Sequence, residues 1–274
     1  MRAKEKILNK FLLRGPYFPS HSLNKMKSEG NVTFARARFS EKRFRNLDFL
    51  LKERYCWMNR YIKDEWNVIE IGAGAGFSEF YLHRRPFMTD VVQNEWIDGS
   101  LDATDMDLED ESVDCLIASH NIHHFYSPYK FFRECERVLR PGGVVLIQEL
   151  NTSILLRFLL KLMRHEGWSY EVNVFDPNEI ANDPNDLWSA NCAIPELLFD
   201  KPDKFEGTFS KLKIKLNQKK ECLLFPISGG VIAKTKMPEF PFWFLKLVVG
   251  IDVVLVYIAP EIFAMGRSVV LEKT

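Results

Sequence analysis

The sequence predicts a doubly wound α/β domain built on a mostly parallel sheet. Three observations carry this. Apolar runs at Val68-Ile69-Glu70-Ile71, Asp114–Ala118 and Val144–Ile147 lack the polar alternation of a solvent-facing strand, so they suit strands buried on both faces. A helical stripe of Tyr129, Phe132, Cys135 and Leu139 lies between the last two. Strands separated by helices of this length pair in parallel through crossovers.

The elements follow in order. Residues 1–40 are polar and basic, broken by Gly15-Pro16 and Phe18-Pro19, and read as a flexible arm. Phe44, Leu47, Leu51, Tyr55, Met58 and Ile62 place a helix over 41–62. Phe77 to His83 reads as a helix, and Pro141-Gly142-Gly143 as a turn. Leu155–Met163 is a helix with Arg157, Lys161 and Arg164 on its polar side. Residues 172–207, rich in Pro, Asp and Asn, look loop-like. Lys211–Leu216 alternates strictly, as an edge strand does. Residues 240–260 form an apolar helix, and Val269-Val270-Leu271 a last strand. The expected organisation is a basic arm at 1–40, a core at 41–150, a substrate-selecting cap at 151–265 and a closing strand at 266–274.

Composition narrows the class. At 46% hydrophobic and 27% charged, the 274 residues suit a globular chain and exclude a collagenous or wholly disordered one. The 37 basic and 37 acidic residues cancel, so no overall field draws the chain onto nucleic acid or anionic membrane. Residues 1–60 nevertheless hold 15 Lys/Arg against 5 Asp/Glu, a block that can dock on the acidic remainder. Five scattered cysteines form no CxxC pair, and no secretory signal is evident. A reducing, cytoplasmic setting is expected.

The strongest chemical signal is Glu70-Ile71-Gly72-Ala73-Gly74-Ala75-Gly76-Phe77. A strand feeds glycines that let a ligand approach bare backbone, and the following helix would offer free N–H groups. A dinucleotide fingerprint needs its third glycine at position 77, where Phe stands. Glu70 disfavours a pyrophosphate and tolerates a ligand with a cationic centre.

This acidic-x-GxGxG segment resembles motif I of the class I S-adenosylmethionine-dependent methyltransferases, in particular the type 11 group. Further runs match in order: Asp90-Val91 after a short apolar run, Asp102-Ala103 before an acidic turn, Ser119 to Phe125 at a strand end, and Arg140-Pro141-Gly142-Gly143. The likeness covers about residues 65–150. It implies a Rossmann-like methyltransferase fold with seven strands, binding S-adenosylmethionine and releasing S-adenosylhomocysteine. By the same likeness Glu70, Gly72, Ala73, Gly74, Gly76, Asp90, Val91, Asp102, Ala103 and Ser119 hold the cofactor. Asp90 would take the ribose hydroxyls, with Glu95 the fallback. Asp102 and Ala103 would take the adenine, with Asp105 the alternative, because Met106-Asp107-Leu108 departs from the usual Leu-Pro-Phe.

Methyl transfer to a hydroxyl needs a base near neutral pH, which imidazole provides. His120 and His123 are the catalytic candidates, and His124 a packing residue. No metal is expected, because His-x-x-His-His has no carboxylate or cysteine beside it in the sequence. Ser119-His120-Asn121-Ile122 lacks the Pro-Pro-aromatic motif of amino-directed nucleic-acid enzymes, and no Pro precedes a cysteine. DNA is therefore excluded as acceptor and RNA disfavoured. Residues 183–195 faintly resemble inserts of methyltransferases in glycan pathways, which implies a small or glycan-like acceptor, more readily at oxygen. Residues 240–260 are expected to pack on the sheet or form a homodimer contact; an interfacial helix facing a lipid-linked substrate stays open. A nicotinamide oxidoreductase and a non-catalytic cofactor-binding regulator are the alternative functions.

Overall fold

A computed structural model describes residues 14–19, 31–164, 166–231 and 235–274. The remainder of the expected basic arm lies outside these. The strands are β1 (Val68–Ile71), β2 (Phe87–Met88), β3 (Val113–Ser119), β4 (Leu139–Leu150), β5 (Leu212–Lys220) and β6 (Gly266–Lys273). The helices are α1 (Val32–Glu41), α2 (Arg45–Tyr55), α3 (Pro128–Val138), α4 (Ile154–Met163), α5 (Ile194–Phe199), α6 (Pro202–Thr208), α7 (Leu224–Ile227), α8 (Phe242–Ile258) and α9 (Pro260–Phe263).

The sheet order is β2-β1-β3-β4-β6-β5. β2, β1, β3 and β4 run parallel, and β6 lies antiparallel between β4 and β5. The unalternating apolar runs are explained by cover on both faces. Leu116, Ala118, Val145, Ile147, Val269 and Leu271 pack toward Phe131 and Phe132 of α3 and Phe199, Phe205 and Phe209 near α5 and α6. Cys115, Ile117, Val144, Leu146 and Val270 face α1 and α2 through Phe39, Leu47 and Leu51. Each buried Leu, Ile, Val or Phe among them contributes about 1.5–3 kcal/mol, so cover on both faces holds the strand ends in place.

Three expectations change. The sheet has six strands among the described residues, not seven. Beyond β2 a single parallel bridge joins Thr89 to Gly99. The segment between them is shorter than the dozen or more residues a parallel crossover needs. The helix expected over Phe77–His83 is a single 3-10 turn, Phe77–Phe80. Pro86 pushes Arg85 out of helical geometry, leaving too short a run to propagate. Finally, α5 and α6 emerge from the segment read as loop, each with Pro in its first turn.

The N-terminal segment is partly ordered. α1 is capped by Asn31, whose side chain accepts the Phe34 N–H at 2.8 Å. Tyr17 and Trp168 exchange backbone hydrogen bonds at 2.9 and 2.8 Å, and the Trp168 indole donates to Gly15 O at 3.0 Å. α8 turns Leu245, Val248, Asp252 and Val256 inward. Asp252 accepts the N–H groups of Cys222, Leu223 and Leu224 at the start of α7. The other face of α8 is apolar and in water, with Trp243 68% and Tyr257 88% exposed. Among the described residues no helix is long and apolar enough to cross a membrane.

Candidate active site

The glycine loop leaves β1 with Gly72, Gly74 and Gly76 at φ of +59°, +54° and +63°, a region that L side chains rarely adopt. Their surroundings differ. A Cβ on Gly72 would lie 2.8 Å from Asn121 Nδ2, and one on Gly76 2.7 Å from Trp96 Cδ1. One on Gly74 would meet only Val32 Cγ1, at 3.7 Å. Gly74 therefore carries the approachable stretch of backbone.

Side chains pin the loop. Gly74 N–H donates to Asp90 Oδ2 at 2.9 Å, and Ala73 N–H to Thr89 O at 3.0 Å. Trp96 Nε1 donates to Gly74 O at 2.8 Å. Arg36 of α1 lies over the Trp96 ring at 4.7 Å and donates to Ala75 O at 2.9 Å. Glu70 is buried at the end of β1, and its carboxyl accepts the Ser78 hydroxyl. Burial pushes it up to about 8, against the pull of that hydroxyl. Glu70 thus shapes the turn from inside.

The remaining predicted residues gather around the same strand ends. The Asp90 carboxylate also accepts the Val92 N–H at 2.9 Å, and Val91 beside it is exposed. Asp102 Oδ1 accepts both the N–H and the hydroxyl of Thr104, at 2.8 and 2.7 Å. Ala103 packs in the cluster that holds Ile71 and Ile122. Ser119, the last residue of β3, lies against the Tyr55 phenol. Glu95 sits apart on the outer rim beside Thr33 and Trp96.

Beyond β3 the two histidines part company. His120 has φ +54°, and its N–H donates to Gln148 O at 2.8 Å. Its Nε2 is buried with no hydrogen-bond partner. Burial, aided by nearby Arg54, holds the imidazole well below its ordinary range, so the ring is neutral near pH 7. Asn121 donates to Ile71 O, while its Oδ1 is buried and unpartnered.

His123 instead lies between two carboxylates. Its Nδ1 stands 2.8 Å from Glu149 Oε2, and its Nε2 3.5 Å from Glu166 Oε2. Burial alone would pull this ring down; Glu149 and Glu166 override it and lift it to about 10. His124 Nδ1 faces Ser189 O at 3.1 Å, and its Nε2 lies 3.6 Å from Glu166 Oε1. Glu149 and Glu166 were not anticipated. Glu149 had a signal, a charge closing the apolar run of β4, since a buried carboxylate needs partners. Glu166 had none.

Residues 69–147 match the family model of a methyltransferase domain. This stretch is a class I methyltransferase domain. No curated protein matches the chain. Solved structures with a similar course include a SAM-dependent methyltransferase from Archaeoglobus fulgidus, 17% identical, with 86% of this chain and 99% of that one covered at a TM-score of 0.46. Another is the geranyl diphosphate C-methyltransferase from Streptomyces coelicolor A3(2), 11% identical, with 95% and 91% covered at a TM-score of 0.45.

S-adenosylmethionine is the cofactor of the methyltransferase domain, and the residues present fit it. The open backbone at Gly74 admits a ligand. The orphaned Asn121 Oδ1 is an acceptor in want of a donor such as an ammonium group. Asp90 and Asp102 each retain lone pairs toward hydroxyl or amino groups.

Proposed function

We propose that this methyltransferase acts on a hydroxyl of a small or glycan-like acceptor, with His120 as the general base. The observation that carries the reading is the buried, unpartnered Nε2 of His120 at the carboxyl end of β3. Ligands of open parallel sheets bind at such strand ends. A non-glycine residue in left-handed backbone costs on the order of 1–3 kcal/mol, which a functional position sustains when its surroundings over-determine it. The cofactor brings an electrophilic methyl group. The chain's part is to align the acceptor oxygen, exclude water and accept the hydroxyl proton at His120 Nε2.

The same reading places the enzyme in the cytoplasm, where the five free cysteines, four of them buried, stay reduced. His123 is set aside as the base because both of its ring nitrogens already face carboxylates.

The test is transfer of a labelled methyl group from S-adenosylmethionine into a native cell extract, followed by identification of the labelled compound. His120→Asn should lower turnover by about 10²–10⁴-fold. It should bind S-adenosylhomocysteine as the parent does by calorimetry. Parent-like turnover in that variant removes the base. No transfer into any extract, with cofactor binding intact, leaves a non-catalytic regulator instead. A label on carbon or nitrogen discards the hydroxyl.

A further inference from the structure

We propose that His123, His124 and Glu166 form a binding site for a zinc-like divalent cation. The first observation is the forced choice of tautomers. Glu149 already accepts the N–H groups of Ile122 and Leu150, each at 2.8 Å, so His123 must donate to it through Nδ1. Ser189 O can only accept, so His124 also donates through Nδ1. In its neutral form each ring then presents a lone pair on Nε2. Both lone pairs face the oxygens of one carboxylate, Glu166, at 3.5 and 3.6 Å. Two imidazole nitrogens and a carboxylate thus converge on one point, and a cation bound there would take the place of the proton that Glu149 and Glu166 favour on His123.

The spacing favours a metal over protons. Charge-assisted N–H···O bonds run about 2.7–2.9 Å, well short of what is seen. Ligands on a tetrahedral zinc, with bonds of about 2.0–2.1 Å, stand about 3.3–3.4 Å apart. All three ligand atoms lie within 4.8 Å of one another. Two imidazoles and one carboxylate suit zinc or cobalt and disfavour magnesium or calcium.

The surroundings are those of a held site. Carboxylate and carbonyl partners on the far nitrogens of both histidines fix their rotation, as around ligating imidazoles generally. Asn182 Nδ2 donates to His123 O at 2.8 Å, and the Gly167–Asn191 bridge anchors the chain beside Glu166. Cys192 Sγ lies 3.4 Å from Glu166 Oε2 and steadies the carboxylate. His123 is sealed, whereas His124 and Glu166 are partly open, so a fourth position faces solvent or substrate. The inference concerns binding alone and stands apart from the methyl-transfer reading.

The experiment uses the full chain, stripped with a chelator and dialysed. Zn²⁺ is titrated in competition with a chromogenic chelator, and Co²⁺ binding is read from its visible spectrum. One ion per chain is expected, with the intense bands of four-coordinate cobalt. His124→Ala and Glu166→Gln should each weaken Zn²⁺ at least tenfold and alter the cobalt bands, with circular dichroism unchanged. Uptake that both variants retain in full, or no uptake at all, overturns the site. Nitrogen shifts of His123 and His124 marking two protonated rings that Zn²⁺ leaves unmoved would also overturn it.

Discussion

The two flanks of the sheet are built by different means. On one side β4, β6 and β5 run 12, 8 and 9 residues with long ladders, the β5–β6 one shifted in register between Ile214 and Leu216. On the other, β2 is two residues long and the next partner is one bridge at Gly99. There the work falls to side chains. Arg85 pairs with Asp98 at 2.7 Å and donates to Trp96 O, Asp98 accepts the Met88 N–H, and Trp96 holds Gly74. The lesson is that backbone groups left out of a ladder are the ones free to meet a ligand. The ligand loop therefore belongs to the thin flank, and the thick flank carries stability.

The largest expected effect tests the thick flank. Arg54 of α2 and Glu221, just past β5, form a buried pair at 2.6 Å, and Gln148 reaches the same carboxylate. Arg54→Met strands Glu221 and should cost about 3–5 kcal/mol of unfolding free energy in urea. Adding Glu221→Leu should recover most of it. A loss below 1 kcal/mol in the single variant would mean that the flank does not depend on the pair.

Next comes pH on the thin flank. The Glu70 carboxyl is lifted by burial from 4.5 to about 8. Below pH 4.5 folded and unfolded chains both hold its proton. Between 4.5 and 8 only the folded chain does, so stability falls as pH rises, and the contribution is gone above 8. The span is worth roughly 2–5 kcal/mol. Glu70→Gln keeps an acceptor for Ser78 and should flatten the decline in thermal midpoint; an unchanged slope would place its origin elsewhere.

The smallest effect sharpens the contrast. Gly74 and Gly142, in β4, both have positive φ, +54° and +77°, and room for a methyl group. Alanine at either should cost about 1–2 kcal/mol of stability. Only Gly74→Ala should also weaken S-adenosylhomocysteine, by about tenfold in calorimetry. Equal binding by the two variants would remove Gly74 from the cofactor's path.

What the sequence disclosed follows the same division. β1, β3, β4 and β6 were legible as apolar runs because cover on both faces leaves a strong local pattern. β5 was legible from its alternation at an edge. The thin flank was not, since Pro86 leaves the helix only one turn and the link from Thr89 to Gly99 is too short for a crossover. Val172 to Ser189 read as loop for good reason. Asp176, Asp183 and Asp186 each turn back onto the N–H two residues on, so the segment is ordered without helix or strand. The residues expected at the cofactor can be picked from local order in the chain. Glu166 could not be, because it reaches His123 and His124 only through the tertiary path of the chain beyond β4. Arg36 was hidden likewise, in a stretch whose basic composition suggested an arm.

The clasp between Tyr17 and Trp168 has an optical consequence. Of the six tryptophans, Trp168 is the one wholly shielded from solvent, two positions from Glu166. Its indole is buried, so its emission is expected at the blue edge of the tryptophan band. Nicking the chain near residue 19 would wet that ring and redden the emission. The fold thus carries its own lamp beside the carboxylate that faces His123 and His124.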